Sequence, residues 1–160
     1  MTHSLEPRLG CGAAIVVSGR ILLLRRLTAP EAGCWGLAGG KVELFETADT
    51  AMRREVAEEL GITVGFAELL CVVDQIDRTA GTHWFAPIFR VDAFTGTPRN
   101  VEPDKHDGLA WFPLDAMPLG LTTPTHAALA ALRSRDRRDP MQTEHDRPAI
   151  LGQDAERDCR

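Results

Sequence analysis

Glu55, Glu58 and Glu59 lie within one turn of each other in the run Arg54-Glu55-Val56-Ala57-Glu58-Glu59-Leu60. Three carboxylates at that spacing repel one another, and each loses hydration where it meets a core, so stability alone cannot account for them. A hard divalent cation reverses the balance. Mg2+ or Mn2+ prefers oxygen ligands and accepts a partial protein shell completed by water and phosphate. The chemistry on offer is therefore metal-assisted attack on a phosphorylated substrate.

The element that must carry these groups can be read around them. Thr47 suits an N-cap, the chain favours helix from there through Leu60, and Gly61 stands where a helix stops. At about 100° per residue, Ala48, Ala51, Met52, Val56 and Leu60 share one apolar face. Glu55, Glu58 and Glu59 run along its edge, with Glu59 falling inside it. A solvated acidic patch would face the other way.

The whole segment from Gly40 to Ile62, GKVELFETADTAMRREVAEELGI, resembles the Nudix box, G-x5-E-x7-R-E-U-x-E-E-x-G-U with U aliphatic, at every fixed position. The resemblance to Nudix hydrolases implies roles that spacing cannot supply. Glu58 and Glu59 match positions that hold metal. Glu55 matches one that binds metal or orients the attacking water. Glu46 and Arg54 correspond to an internal ion pair joining the preceding loop to the helix. Gly39 would offer its carbonyl as a further ligand beside Gly40. The upstream run Trp35-Gly36-Leu37-Ala38-Gly39-Gly40 departs from the family's Leu-Pro-Gly-Gly in having Ala38 for Pro.

Composition agrees with one domain: 160 residues, 44% hydrophobic, are enough for a sizeable core. A formal net charge of -5 argues against a nucleic-acid polymer as partner, though not against a nucleotide met by metal and a few local cations. Cys11, Cys34, Cys71 and Cys159 show no C-x-x-C spacing, and reduced structural thiols are expected. Leu9 to Val17 is short and broken by Gly10 and Gly12, so it reads as strand rather than as leader or membrane span. A cytoplasmic protein is expected, with monomer and homodimer both left open.

Along the chain, Ala13–Val17 and Ile21–Leu24 form a hairpin across Ser18-Gly19. Phe66–Ile76, His83–Phe94 and Leu109–Phe112 are extended in character, with Pro87 marking an edge or irregular position. Thr123 and Pro124 open a second helix whose apolar face is Ala127, Ala128, Ala131 and Leu132. The expectation is an α/β (α+β) fold, a Nudix-like mixed β-sheet sandwiched between helices, over residues 1–134. Half of the residues from Arg135 onward are Asp, Glu or Arg, so 135–160 is expected to be a polar, flexible tail.

A second stretch, Glu102-Pro103-Asp104-Lys105-His106-Asp107 leading to Trp111-Phe112-Pro113-Leu114, resembles the E-P-x-K loop and Trp strand of small Nudix proteins acting on nucleoside triphosphates. Glu102 is the first candidate there for an extra metal ligand; Asp104, His106 and Asp107 are further candidates for ligand or general base. Arg25 and Arg26 end a strand at a place where, by the resemblance, family members set an Arg near the substrate phosphates, and alternation lets only one of them face the site. Lys41, beside the metal-binding glycines, and Gly40 itself are further candidates for substrate binding. Trp84, and less directly Phe85 and Phe45, could stack on a base.

The expected enzyme cleaves a nucleoside diphosphate linkage with Mg2+ or Mn2+, giving a nucleoside monophosphate and pyrophosphate. ADP-ribose, a dinucleotide cofactor or a nucleotide sugar are alternative substrates of the same reaction. A non-catalytic nucleotide sensor would normally have lost box carboxylates, and an isoprenoid diphosphate isomerase needs nucleophile and acid motifs that cannot be located around Cys34 or Cys71. Selectivity is assigned to the loops at 28–33 and 78–83, where the sequence offers no readable code.

Overall fold

The computed structural model describes residues 6–138. Ten residues of nearly unbroken apolar or small character form β1 (Arg8–Val17), and Ser18 and Gly19, both at positive φ, turn it into β2 (Arg20–Arg26). Two consecutive left-handed residues are what a tight hairpin with the twist of its strands requires. Val17 opposite Arg20 closes the expected hairpin.

Strand β1 is the organising strand. It pairs antiparallel with β2 at one end, antiparallel with β4 (Ala38–Lys41) and parallel with β7 (Thr82–Val91). Around it, β2 also pairs with β3 (Trp35–Gly36) and β9 (His106–Pro113), and β7 with β6 (Ala67–Asp77). These strands make a seven-stranded mixed sheet, while β5 (Thr63–Val64) and β8 (Phe94–Thr95) form a separate two-stranded ribbon.

Strand residues alternate between two cores. Ala13, Ile15, Leu22 and Leu24 pack with Ala51, Met52, Val56 and Leu60 of α1 (Ala48–Leu60). Ala14, Val16, Ile21 and Leu23 pack with Ala128, Leu129 and Leu132 of α2 (Thr123–Arg138). A sheet buried on both faces needs such continuous apolar runs, which explains why neither strand shows polar alternation. The expected sheet between helices is the fold observed.

Several details depart from expectation. Pro87 is not on an edge strand, and it is the other expected alternative, an irregular position, that is found: β1 pairs with β7 at Leu9–Phe85 and next at Gly12–Ile88, and the proline falls in that gap while staying in register with Val72 of β6. The extended stretch from 83 to 94 divides into β7 and β8. Helix α2 begins at Thr123, with Thr122 in the cap position that had been expected at Thr123: Thr122 O accepts from His126 N–H at 3.0 Å. That helix continues to Arg138, past the boundary expected at 134, and Arg135 reaches Glu68 and the carbonyl of Leu69 on β6. The remainder of the expected tail, 139–160, lies outside the described residues. No helix among the described residues is long and apolar enough to cross a membrane.

Candidate active site

Helix α1 is capped at both ends as its sequence demands. The Thr47 hydroxyl accepts from Thr50 N–H at 3.1 Å, and Gly61, at φ 67°, supplies the left-handed stop. Between them Glu59 is 5% exposed, Glu55 is half-buried and Glu58 is exposed. The three carboxylates therefore climb from core to solvent along one stripe.

Burial first, then the like charges of Glu55 and Glu102, push the Glu59 carboxyl up to about 8, against the lowering effect of a hydrogen bond from Gly39 N–H. That bond, 2.9 Å to Oε2, joins the strand glycine to the helix carboxylate. Gly39 is at φ 151°, and a Cβ there would stand 2.2 Å from the Cys11 carbonyl oxygen. Gly40 is held free of a side chain by a different neighbour: its Cβ would lie 2.5 Å from the Glu55 carboxyl carbon.

Arg54 organises the exposed side. Its Nε and Nη2 hold both oxygens of Glu46 at 2.9 and 3.0 Å, Nη1 reaches Glu55 at 2.9 Å and Glu58 at 3.2 Å, and Nη2 also donates to the Lys41 carbonyl. Such a forked pairing is what a planar guanidinium does best. The guanidinium holds the Glu46 carboxyl below its ordinary value.

The loop before β9 closes the site from the other side. Arg99 N–H donates to Leu60 O and Val101 N–H to Glu59 O, both at 3.0 Å, so the last turn of α1 is finished by this loop. Glu102 Oε1 pairs with Lys105 Nζ at 2.9 Å, while Oε2 is buried without a partner among the described residues. His106 is also buried, and its Nε2 lies 3.8 Å from Glu59 Oε1. Burial, then the charge of Arg26, holds its imidazole below its ordinary value and so neutral at pH 7. Ligand atoms of Glu59, Glu102 and His106 lie within 4.8 Å of one another. An unpartnered buried carboxylate oxygen in a mostly oxygen donor set fits a hard divalent cation.

A cleft is lined by Gly39, Gly40 and Lys41 together with Arg26, Gln75 and Trp84; neither the helix carboxylates nor Glu102 lines it, and it meets them through Gly39, which bonds Glu59, and Gly40, which lies under Glu55. The expected alternation of Arg25 and Arg26 resolves in favour of Arg26. Arg25 does not line the cleft; its guanidinium grips Asp107 at 2.7 and 3.0 Å and lies over Trp35. Asp107 is thereby engaged away from the carboxylates, and Asp104 is exposed. Trp84 is half-buried in the cleft wall with the Arg8 guanidinium 5.5 Å from its ring centre. Phe85 lies outside the cleft lining, as does Phe45, which is 97% exposed.

Two cleft residues had no signal in the sequence. Glu31, at positive φ in the loop after β2, accepts from Thr123 N–H and hydroxyl at 2.8 and 2.7 Å and from Gln75 Nε2 at 3.3 Å. It thus caps α2 from 92 residues away, a distance over which no cap motif can be read. Gln75 was hidden as one polar residue in a long strand. Cys11, Cys34 and Cys71 are free thiols; burial pushes Cys11 up to about 11, which keeps it protonated and structural.

A family model described as NUDIX domain matches residues 7–132. The crystal structure of a MutT NUDIX hydrolase from Burkholderia pseudomallei superposes with TM-score 0.79 at 57% identity, covering 79% of this chain and 98% of that one. An ADP-ribose pyrophosphatase of Methanocaldococcus jannaschii is 35% identical over 92 residues, 58% of this chain and 54% of its own length. A putative 8-oxo-dGTP diphosphatase 2 of Mycobacterium tuberculosis is 37% identical over 101 residues, 61% of this chain and 67% of its own. The chain thus spans about half of the first of these curated relatives and two thirds of the second.

Proposed function

The chain belongs to the Nudix family, and from that premise we propose that it is a Mg2+- or Mn2+-dependent pyrophosphohydrolase. It cleaves a nucleoside triphosphate, or a related nucleotide, to the monophosphate and pyrophosphate. The observation that carries this reading is the carboxylate stripe of Glu55, Glu58 and buried Glu59, tied through Gly39 to the edge of a cleft. The sensor alternative is disfavoured because every box carboxylate is retained.

Glu55, Glu58, Glu59, Glu102 and the Gly39 carbonyl are the groups that would hold metal. A bound divalent ion supplies charge neutralisation at the phosphates and lowers the pKa of water. The protein's own part is positional. Arg54 fixes Glu55 and Glu58 against each other's repulsion, and Arg26 and Lys41 offer positive charge to phosphate oxygens in the cleft. Trp84 gives a flat apolar wall for a base. Glu55, the half-buried member of the stripe, has two alternative roles, on the metal with Glu58 and Glu59 or orienting the attacking water.

The name of the mycobacterial relative supports a nucleoside triphosphate, and that of the methanogen relative supports ADP-ribose as a second reading. Products separate the two: pyrophosphate in the first case, ribose 5-phosphate with AMP in the second. Purified protein with Mg2+ should be assayed against ordinary and oxidised nucleoside triphosphates, ADP-ribose, dinucleotide cofactors and nucleotide sugars. Glu58→Gln and Glu59→Gln should each lower turnover roughly a hundredfold or more. Wild-type rates in both variants, or full turnover in excess chelator, would sink the proposal. A cytoplasmic location is part of the same reading, as the compartment where such nucleotides are held.

A further inference from the structure

His106 begins β9 with only 5% of its surface exposed. Its Nδ1 has no hydrogen-bond partner among the described residues. Its Nε2 faces Glu59 Oε1 at 3.8 Å, beyond hydrogen-bond length. Burying Nδ1 without a partner is costly, but an ion at Nε2 would leave that atom unpaired, so it is the Nε2 spacing to Glu59 and the second orphan nearby that point to a cation. Glu102 Oε2 is a second buried orphan in the same place.

The spacing suits a shared ligand. Two donors each about 2.1 Å from one cation can be at most about 4.2 Å apart, so the 3.8 Å between His106 and Glu59 is too long for a direct bond and short enough for a common ion, while the full set with Glu102, within 4.8 Å, has only to draw in slightly around it. The backbone presents both side chains together: His106 N–H donates to Glu102 O at 3.1 Å, and Asn100 Nδ2 donates to His106 O at 2.6 Å. The turn from 100 to 106 is closed on itself and hung from the end of α1 by Val101.

We propose that a ring nitrogen of His106 is a ligand of the divalent cation held by Glu59 and Glu102, giving a mixed oxygen and nitrogen site that takes Mn2+ in preference to Mg2+. Both ions favour oxygen, but Mg2+ demands near-ideal octahedral oxygen geometry and gives up its water reluctantly, whereas Mn2+, a first-row transition ion, accepts one imidazole nitrogen among oxygen ligands more readily. The inference rests on the metal-dependent reading above and adds to it which ion the site selects.

The test uses the full chain with Mn2+ as probe. Free Mn2+ is followed by electron paramagnetic resonance during titration, and bound Mn2+ is examined by pulsed resonance for coupling to a directly bound imidazole nitrogen. The wild type should show 14N coupling that changes to the 15N pattern in protein labelled with 15N-histidine. His106→Asn and His106→Gln should abolish the coupling and weaken Mn2+ binding roughly tenfold or more, with Mg2+ binding little changed. His83→Asn, at a surface pair with Asp74, should keep it. Both His106 variants are made so that one folded variant suffices, and the wild-type spectrum is readable without either. Bound Mn2+ that is lost in Glu59→Gln but shows oxygen ligands only would overturn the role of His106 and leave the metal-dependent hydrolase intact. Equal weakening of Mg2+ and Mn2+ in the His106 variants would overturn the selectivity. No Mn2+ bound at all would overturn both readings together.

Discussion

Glu55 stands so close over Gly40 that a methyl group built on the glycine would meet the carboxyl carbon at 2.5 Å. Gly40 lies in extended β4 and has no left-handed φ, so the position is kept empty for the carboxylate and not for a turn. Gly40→Ala should therefore displace Glu55 while the strand still forms. Turnover is expected to fall about a hundredfold, the scale for a catalytic group misplaced by about 1 Å, with only a small change in melting temperature. Steady-state kinetics alongside thermal melting would check it; unchanged kcat would contradict the contact.

Arg54 spans Glu46, Glu55 and Glu58, and a lysine has one point charge where the guanidinium has a fork. Arg54→Lys is expected to lower the melting temperature by several degrees and activity by at least about tenfold. Lost activity with an unchanged melting curve would mean that the contact to Glu46 contributes nothing to the fold.

Glu59 sets a pH dependence of stability. Its folded value, about 8, lies above the ordinary carboxyl value of 4.5, so between the two the folded state holds more protons than the unfolded one. Without metal, stability is fullest below about pH 4.5 as far as this group is concerned, and falls as pH rises towards 8, by at most about 1.4 kcal/mol per pH unit for one proton. Denaturant melts from pH 5 to 8 in chelator should show the decline, and Glu59→Gln should flatten it. Because cation and proton compete for the same carboxylate, Mn2+ affinity should rise over the same range.

Arg25 and Arg26 make a paired test of side-chain direction. Arg26→Ala should raise KM by roughly tenfold with kcat little altered, the pattern of lost phosphate binding. Arg25→Ala, which removes the pair with Asp107 and the stacking over Trp35 but nothing that lines the cleft, should leave both constants within about twofold of wild type. The reverse pattern would mean that the cleft is used from its other side.

Two truncations locate the domain boundary. Met141, Ile150 and Leu151 are the only large aliphatic residues after Arg138, and a cut there should change stability by no more than about 0.5 kcal/mol. A cut after Ser134 also removes the bonds of Arg135 to Glu68 and Leu69, an exposed pair expected to add about 0–1 kcal/mol of loss. Catalysis should survive both. A large drop for the first cut would show that the segment beyond 138 packs on the domain.

The site was legible where chemistry and local periodicity coincide. The cap at Thr47, the stop at Gly61 and the burial of Glu59 all follow from one helix's own sequence, and the structure has each of them. Both faces of β1 and β2 were readable as apolar runs, because a strand buried on two sides needs nothing else. What was not legible is set by contacts distant in sequence. Glu31 meets Thr123 across 92 residues. Pro87 could be placed on an interior strand only once the gap between the Leu9–Phe85 and Gly12–Ile88 pairs was seen. The choice between Arg25 and Arg26 depended on Asp107, which comes 82 residues later.

The bond from Val101 N–H to Glu59 O has a consequence for how this protein can vary. It fastens the chain one residue before Glu102 to the backbone of the helix residue that Glu102 must face, so the two carboxylates share a fixed ruler mark. Asn100, which holds the His106 carbonyl, is not free to change, whereas side-chain changes at 97–99 that keep the backbone leave that mark in place. A single inserted or deleted residue between Val101 and His106 does not, since it would rotate Glu102 or His106 out of the site while leaving every side chain chemically present. Length, more than composition, is what this loop has to conserve in any engineered or divergent copy that keeps the reaction.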